Sequence, residues 1–303
     1  MSNAGAISSV VPGYAIPGGE ITIECDGFQL DPEGEHGAYV NGMTCVMVAA
    51  SPTRVLALVP DCSPGEAVVH LESGGAESTT ADVVVGEKHA DGMHIVANPA
   101  IDPSDDAIIV TRSGSRGQQL PNTIFRIETD GYIDELPDAI MNPTGIAFDT
   151  EGVMYVGDRS GTIYRVPEFA TVEEFASLEP SVAAYHLAFG QDGRLYVSAP
   201  GLSSNDSIYA IDGQGAVESF ASGFGRPQGL AFDREGYLYA AGCHNGRRGI
   251  FRIDPDGLAI EHFVAGNNIV GLCFTRKGQL IAATNDSVYS IKAGIYGTLL
   301  PAS

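Results

Sequence analysis

The sequence predicts an all-β chain in two parts, a two-sheet sandwich over residues 6–87 followed by a β-propeller over residues 92–303. Three observations carry this. The 38 glycines and 17 prolines are scattered among short apolar runs, the signature of strands joined by tight turns. Over the first 88 residues these runs alternate apolar and polar positions. Beyond residue 100 one phrase recurs with Gly145, His186, Gly229 and Gly271 at offsets of 41, 43 and 42 residues, a period that belongs to repeat architectures.

In the first part, alternating segments fall at Ile21–Glu24, Ala38–Val40, Cys45–Ala49, Val55–Val59, Ala67–Leu71 and Asp82–Val85, separated by Gly, Pro, Ser and Asp clusters. Val40-Asn41-Gly42 carries the Asn-Gly pair of a two-residue hairpin turn. Ile7-Ser8-Ser9-Val10-Val11-Pro12, Pro17-Gly18-Gly19-Glu20-Ile21-Thr22-Ile23, Gly27-Phe28, the strand ending Val59-Pro60 and Pro64-Gly65-Glu66-Ala67-Val68-Val69 together resemble an IPT/TIG domain over about 80 residues. The resemblance implies an immunoglobulin-like sandwich serving as a spacer or interaction module, of the kind found in surface and secreted bacterial proteins. His70, between Val69 and Leu71, reads as a strand histidine rather than a ligand.

In the second part, Thr144-Gly145-Ile146-Ala147-Phe148-Asp149 recurs as Tyr185–Gly190, Gln228–Asp233 and Val270–Thr275. Each copy is followed by a Gly-containing turn and a second strand (Met154–Val156, Leu195–Val197, Leu238–Ala240, Leu280–Ala282), then by a third (Ile163–Arg165, Ile208–Ala210, Ile250–Arg252, Val288–Ser290). A diverged copy precedes them at Ala100–Asp102, Ile108–Val110 and Thr123–Arg126. Outer strands fit Val172–Phe175, Val217–Phe220, Ile260–Val264 and, for the last copy, Tyr296–Leu300. Four strands per repeat arranged radially protect sheet edges. The count gives five blades, with six as the alternative if the stretch before residue 100 adds a sheet. The link between the two parts is expected at Lys88–Gly92.

These phrases resemble NHL repeats and the gluconolactonase-like (regucalcin-like) propellers over about 210 residues, a group that includes Ca²⁺- or Zn²⁺-dependent lactonases, a lyase and binding proteins. In the lactonases the resemblance implies a divalent ion at the channel mouth, held by a first-blade Glu, the Asn of Pro-Asn-Gly and the Asp of Pro-Asp-Gly. The matching phrases here are Pro143-Thr144-Gly145 and Pro227-Gln228-Gly229, and Ala97 stands in the first blade, so the carboxylates a hard cation needs are missing. No metal and no cofactor is therefore assigned. A Gly-x-Ser-x-Gly elbow, a His-Glu-x-x-His pair and a phosphate loop are also lacking.

Because strands alternate in direction, the loops after second and fourth strands share one face. They are the longer, variable loops, where function tends to sit. They bring together Arg112, Arg116, Arg159, Arg226, Arg247 and Arg248, whose guanidinium forks match carboxylates and phosphates, the alternative being that they pair with neighbouring Asp and Glu on a solvated face. The candidate ligand-binding set on this face is Arg112, Thr144, Arg159, Tyr185, His186, Arg226, Gln228, His244, Asn245, Arg247 and Asn285. His186 stands where other repeats carry glycine, and with His244 it is the candidate for acid–base chemistry, the alternative being a hydrogen-bonded structural histidine. The expected function is binding of a carbohydrate, small anionic ligand or protein partner; the alternative is a lactonase-like hydrolase or lyase.

Charge and cysteine content exclude other classes. The formal net charge is −22, and of 38 acidic residues 12 lie in residues 1–88 against only Arg54 and Lys88. Such a field repels phosphate backbones and anionic lipid, so no nucleic-acid partner is expected. No run approaches the length of a membrane span. Five cysteines without a CxxC spacing fit neither a zinc ribbon nor a disulfide scaffold and read as buried thiols, the alternative being one bridge between two of Cys25, Cys45 and Cys62. No secretory leader is visible, while the IPT/TIG resemblance points to an extracytoplasmic or cell-surface setting.

Overall fold

Alternation builds the first unit. In the computed structural model, which describes all residues except 1–3, 31–35, 91–99, 106, 112–122, 129, 131, 137–139, 169, 170, 181–183, 199, 200, 202, 204, 276 and 299–303, this unit comprises ten strands. They are β1 (Ala6–Val11), β2 (Tyr14–Ala15), β3 (Glu20–Asp26), β4 (His36–Val40), β5 (Met43–Thr44), β6 (Val46–Ser51), β7 (Arg54–Leu58), β8 (Gly65–Ser73), β9 (Ala76–Glu77) and β10 (Ala81–Val85). One sheet runs β1-β3-β7-β6; the other runs β2-β10-β8-β4-β5, with β9 beside β8. Ile21 and Ile23 of β3 and Val55 and Ala57 of β7 share a core with Ala38, Val69, Leu71, Val83 and Val85 of the facing sheet. Asn41 and Gly42 both take positive φ, 50° and 74°, which the right-handed twist of the β4–β5 hairpin demands.

Among the described residues the repeats form five sets of four antiparallel strands. The first is β12 (Ala100–Ile101), β13 (Ile108–Thr111), β14 (Ile124–Ile127) and β15 (Ile133–Leu136). The second is β16 (Pro143–Phe148), β17 (Met154–Asp158), β18 (Thr162–Glu168) and β19 (Thr171–Ser177). The third is β20 (His186–Phe189), β21 (Leu195–Ser198), β22 (Asp206–Ile211) and β23 (Val217–Gly225), and the fourth is β24 (Leu230–Phe232), β25 (Leu238–His244), β26 (Arg247–Ile253) and β27 (Ile260–Ala265).

The fifth set corrects the sequence reading. β28 (Ile269–Phe274), β29 (Leu280–Thr284) and β30 (Val288–Ile291) take their fourth strand from β11 (Glu87–Ala90), far upstream in the chain. Lys88, expected in a link, pairs with Tyr289, and His89 Nε2 lies 2.7 Å from Ser290 Oγ. The residues expected as an outer strand instead return to the fourth set: Tyr296 O accepts from Arg234 N, and Thr298 N donates to Phe232 O. Apolar alternation in Tyr296–Leu300 could not reveal that β30 already had a partner. Residues 299 and 300 lie outside the described residues.

Successive sets pack through shared apolar cores. Tyr155 of β17 meets Phe175 of its own outer strand (5.1 Å) and Phe189 of the next inner strand (4.9 Å), both edge-on. Tyr196 repeats this with Phe220 and Phe232 (4.8 Å each), and Tyr239 with Phe263 (5.2 Å) and Phe274 (5.0 Å). T-shaped pairs of this kind contribute about 0.5–1.5 kcal/mol beyond area burial. Gly229 lets two inner strands touch: a Cβ there would lie 2.7 Å from the Gly271 Cα.

The two units are joined by a continuous sheet. β2 is parallel to β10 on one side and to β27 on the other, pairing Tyr14 with Val264 and Ala15 with Ala265. Ile16 N adds a bond to Ala265 O at 2.9 Å, and Ile16 packs among Tyr239, Ile250 and Ile269. Arg247 pairs with Glu20, and Asn267 Nδ2 donates to Gly18 O at 2.7 Å. Among the described residues no helix is long and apolar enough to cross a membrane.

Two outcomes follow from this packing. A Cβ on Gly19 would sit 2.3 Å from Ala265 O, against backbone that cannot swing away. Gly19→Ala should cost about 1–3 kcal/mol by overpacking, and limited proteolysis should then cut between the units, whereas Gly42→Ala should leave the digestion pattern unchanged. Tyr196→Ala should cost about 3–5 kcal/mol in chemical denaturation, with Tyr196→Phe losing only the hydroxyl's share, about 1 kcal/mol.

Candidate functional site on the variable-loop face

In two sets the hairpin between second and third strands is stitched to the loop entering the same set. Arg159 N donates to Asn142 O (3.1 Å) in the second set, and Asn285 N donates to Asn268 O (3.2 Å) in the fifth. The same relation holds one set apart where Arg226 N approaches Asp206 Oδ2 at 3.3 Å. Both loop families therefore meet at one end, as strand direction predicts. Asp158 and Asp206 anchor this end. Asp158 accepts from Asn142 N and Ser160 N at 2.7 Å each, and Asp206 accepts from Gly201 N at 3.0 Å. These carboxylates satisfy backbone donors, the ordinary work of Asp at a turn.

Several candidate residues are structural. The Thr144 hydroxyl donates to Gly157 O (2.9 Å) and accepts from Tyr185 N (3.3 Å), linking the second and third sets. Tyr185 is wholly buried, its hydroxyl donating to Glu179 O, so its ring belongs to the core and not to a rim. His244 is wedged against Phe224 and Phe251 with Nδ1 3.1 Å from Gly223 O. Asn245 (φ 48°) and Gly246 (φ 76°) form the β25–β26 turn, a conformation Asn tolerates and Gly favours. Arg247 is taken up by Glu20 of the first unit. For these positions residue type was legible in the sequence; the partner, often distant along the chain, was not.

His186 occupies the inner strand β20 opposite Ser198, with only 7% of its surface exposed. Burial pushes its pKa down to about 4, so the imidazole is neutral near pH 7 and a weak base.

Arg159, Arg226, Gln228 and Asn285 remain available. Arg226 and Asn285 are exposed; Arg159 and Gln228 are half-buried, and Gln228 N is bonded to Ala241 O at 2.8 Å. Among the described residues neither Arg159 nor Arg226 forms an ion pair, and Arg159 Nε is shut from solvent without a hydrogen-bond partner. Arg112 and Arg116 lie outside the described residues.

The lactonase ion does not fit here. At the positions that would hold it, Thr144 has its hydroxyl committed twice and Gln228 offers a neutral amide. A cavity of about 460 Å³ opens at the opposite end, between the second and third sets, lined by Asp149, Tyr155, Arg165, Phe175, Phe189 and Ile211 among others. Sequence reasoning passed over it because its polar residues look like turn formers.

No family model matches the chain, and no curated protein matches it. Among solved structures it is similar to a gluconolactonase from Xanthomonas campestris, at 17% identity and a TM-score of 0.54, over 83% of this chain and 89% of that one. It is also similar to an auxiliary nutrient binding protein from Bacteroides thetaiotaomicron (11% identity, TM-score 0.49, 96% and 98% covered) and to a streptogramin B lyase (13%, 0.47, 96% and 94%). The first likeness shows the fold alone, an all-β propeller-type arrangement.

The imidazoles of His186 and His262 set a pH dependence. His186 has a folded pKa of about 4, below its unfolded value near 6.5, so the unfolded chain binds the extra proton between these limits. Its stabilising effect is complete above about pH 6.5 and falls away toward pH 4, by on the order of 3 kcal/mol. His262, also pushed down to about 4 chiefly by burial, acts in the same direction. Denaturation midpoints measured from pH 7 to 4 should fall, and His186→Gln should flatten the slope.

Proposed function

We propose that this chain is a binding protein, an immunoglobulin-like TIG module docked on a five-bladed propeller whose variable-loop face takes a small carboxylate-bearing sugar. One observation carries the reading. Arg159 is half-buried, forms no ion pair among the described residues and keeps Nε desolvated without an acceptor. A buried unsatisfied donor costs about 1–3 kcal/mol, a cost that a ligand carboxylate relieves. Carboxylate oxygens match the guanidinium fork, and Arg226, Gln228 and Asn285 supply further polar groups on the same face for hydroxyls. Binding rather than turnover is supported by the state of the groups that would do chemistry. The Asp158 carboxylate is spent on backbone donors, the Thr144 hydroxyl is doubly engaged, and His186 is buried with a pKa too low for an effective base at neutral pH.

Calorimetric titration with an aldonate, a uronate and the matching neutral sugar is the test. The acids should bind and the neutral sugar should bind less tightly. Arg159→Gln should weaken acid binding by about tenfold or more, equivalent to about 1.4 kcal/mol. Equal affinity in wild type and variant would overturn the site. Turnover of a lactone panel that is lost in His186→Gln would replace binding with the lactonase-like alternative.

A further inference from the structure

We propose that the first unit carries a divalent transition-metal site, with zinc as its occupant, formed by His70, Glu72 and Glu77. The sequence reading made His70 a strand histidine. The structure gives it company: one ligand atom from each of these three residues lies within 4.8 Å of the others. His70 and Glu72 alternate with buried Leu71 on β8 and so share the outward face, and Glu77 on β9 is the cross-strand partner of Glu72. The hairpin therefore sets two carboxylates directly opposite each other, an arrangement that destabilises a sheet unless a cation lies between them.

This unit has no side-chain cation to spare for the task. Residues 1–88 contain two basic residues, Arg54 and Lys88; Arg54 is paired with Glu24 at 2.7 Å, and Lys88 lies 3.8 Å from Asp61. Beyond the imidazole of His70 itself, a cation from solution would balance the facing carboxylates.

The donor set selects the ion, which would come between a pair now in hydrogen-bond contact. His70 Nε2 and Glu72 Oε1 are 3.3 Å apart. Two ligand atoms about a tetrahedral zinc, at bond lengths near 2.0–2.2 Å, are separated by roughly 3.4 Å. An imidazole nitrogen beside carboxylate oxygens suits zinc and its neighbours in the first transition row, whereas Ca²⁺ and Mg²⁺ require oxygen throughout. Tyr39 supplies the support that a metal-binding imidazole needs: its ring stacks on His70 at 5.0 Å, 9° from parallel. Three protein ligands leave a position for water or for a donor from a partner protein. The ion would also clasp the two-residue strand β9 to β8.

Equilibrium dialysis of the chelator-stripped full chain against zinc chloride alone tests the site. One zinc per chain should bind saturably, and a hundredfold excess of Mg²⁺ should not displace it. His70→Asn and Glu77→Gln should each weaken binding by about tenfold or more. Glu77 is exposed on a hairpin, so its variant will fold even where loss of the His70–Tyr39 stack impairs the other. The sign of its effect is diagnostic. Without metal, Glu77→Gln should raise the melting temperature or leave it unchanged, because the like-charge pair is gone; with zinc it should lose the upward shift that the wild type shows. No saturable zinc binding, or binding of equal stoichiometry and affinity in both variants, overturns the proposal.

Discussion

The second-strand tyrosine organises the repeated part of this protein. Tyr155, Tyr196 and Tyr239 each stand edge-on to an outer phenylalanine of their own set and an inner phenylalanine of the next, so one ring fixes both the width of a sheet and its angle to its neighbour. The phenol end is equally constrained. Tyr196 and Tyr239 donate to Asp192 (2.9 Å) and Asp233 (3.1 Å), and those same aspartates close the turn between first and second strands. Burial raises the pKa of both phenols, which therefore stay protonated donors. The aspartates that look like mere turn formers thus also satisfy a buried hydroxyl, and losing either partner leaves the other unpaired.

Where the tyrosine is absent, other polar contacts take its place. In the first set Ile109 takes its place, and Arg126 on the neighbouring strand is caged by Asp102, Asp105 and Glu128. In the fifth set the third strand carries Ser290, which meets His89 of the borrowed strand β11. The end sets are thus the two that depart from the common rule. The fifth is completed by residues from the opposite end of the chain, an arrangement that ties the first unit's exit to the last repeat.

The first unit is held to the fourth set by backbone rather than by charge. The parallel ladder of β2 with β27 and the close approach of Gly19 to Ala265 fix its position, while the half-exposed Arg247–Glu20 pair adds little. This docking consumes Arg247 and Asn267 at the variable-loop end and leaves Arg159 and Arg226 unpaired among the described residues. Of the arginines grouped by the sequence, Arg247 thus meets the first unit, while Arg159 and Arg226 form no ion pair among the described residues.

The sequence by itself determined the strands and their grouping. Alternation places Ile21, Ile23, Val69 and Leu71 on inward faces, and the recurring Leu-Tyr phrase names the buried rings, because both depend on a period of two that neighbours along the chain express. Direction alternation likewise revealed which loops share a face. Only the tertiary structure decided which strand completes the fifth set, that Tyr185 and His186 are buried, and that His70 stands beside two carboxylates. Those outcomes depend on pairings between residues of different strands, from a few positions apart for Glu72 with Glu77 to about two hundred for Lys88 with Tyr289, and the pattern within one strand carries no record of the partner.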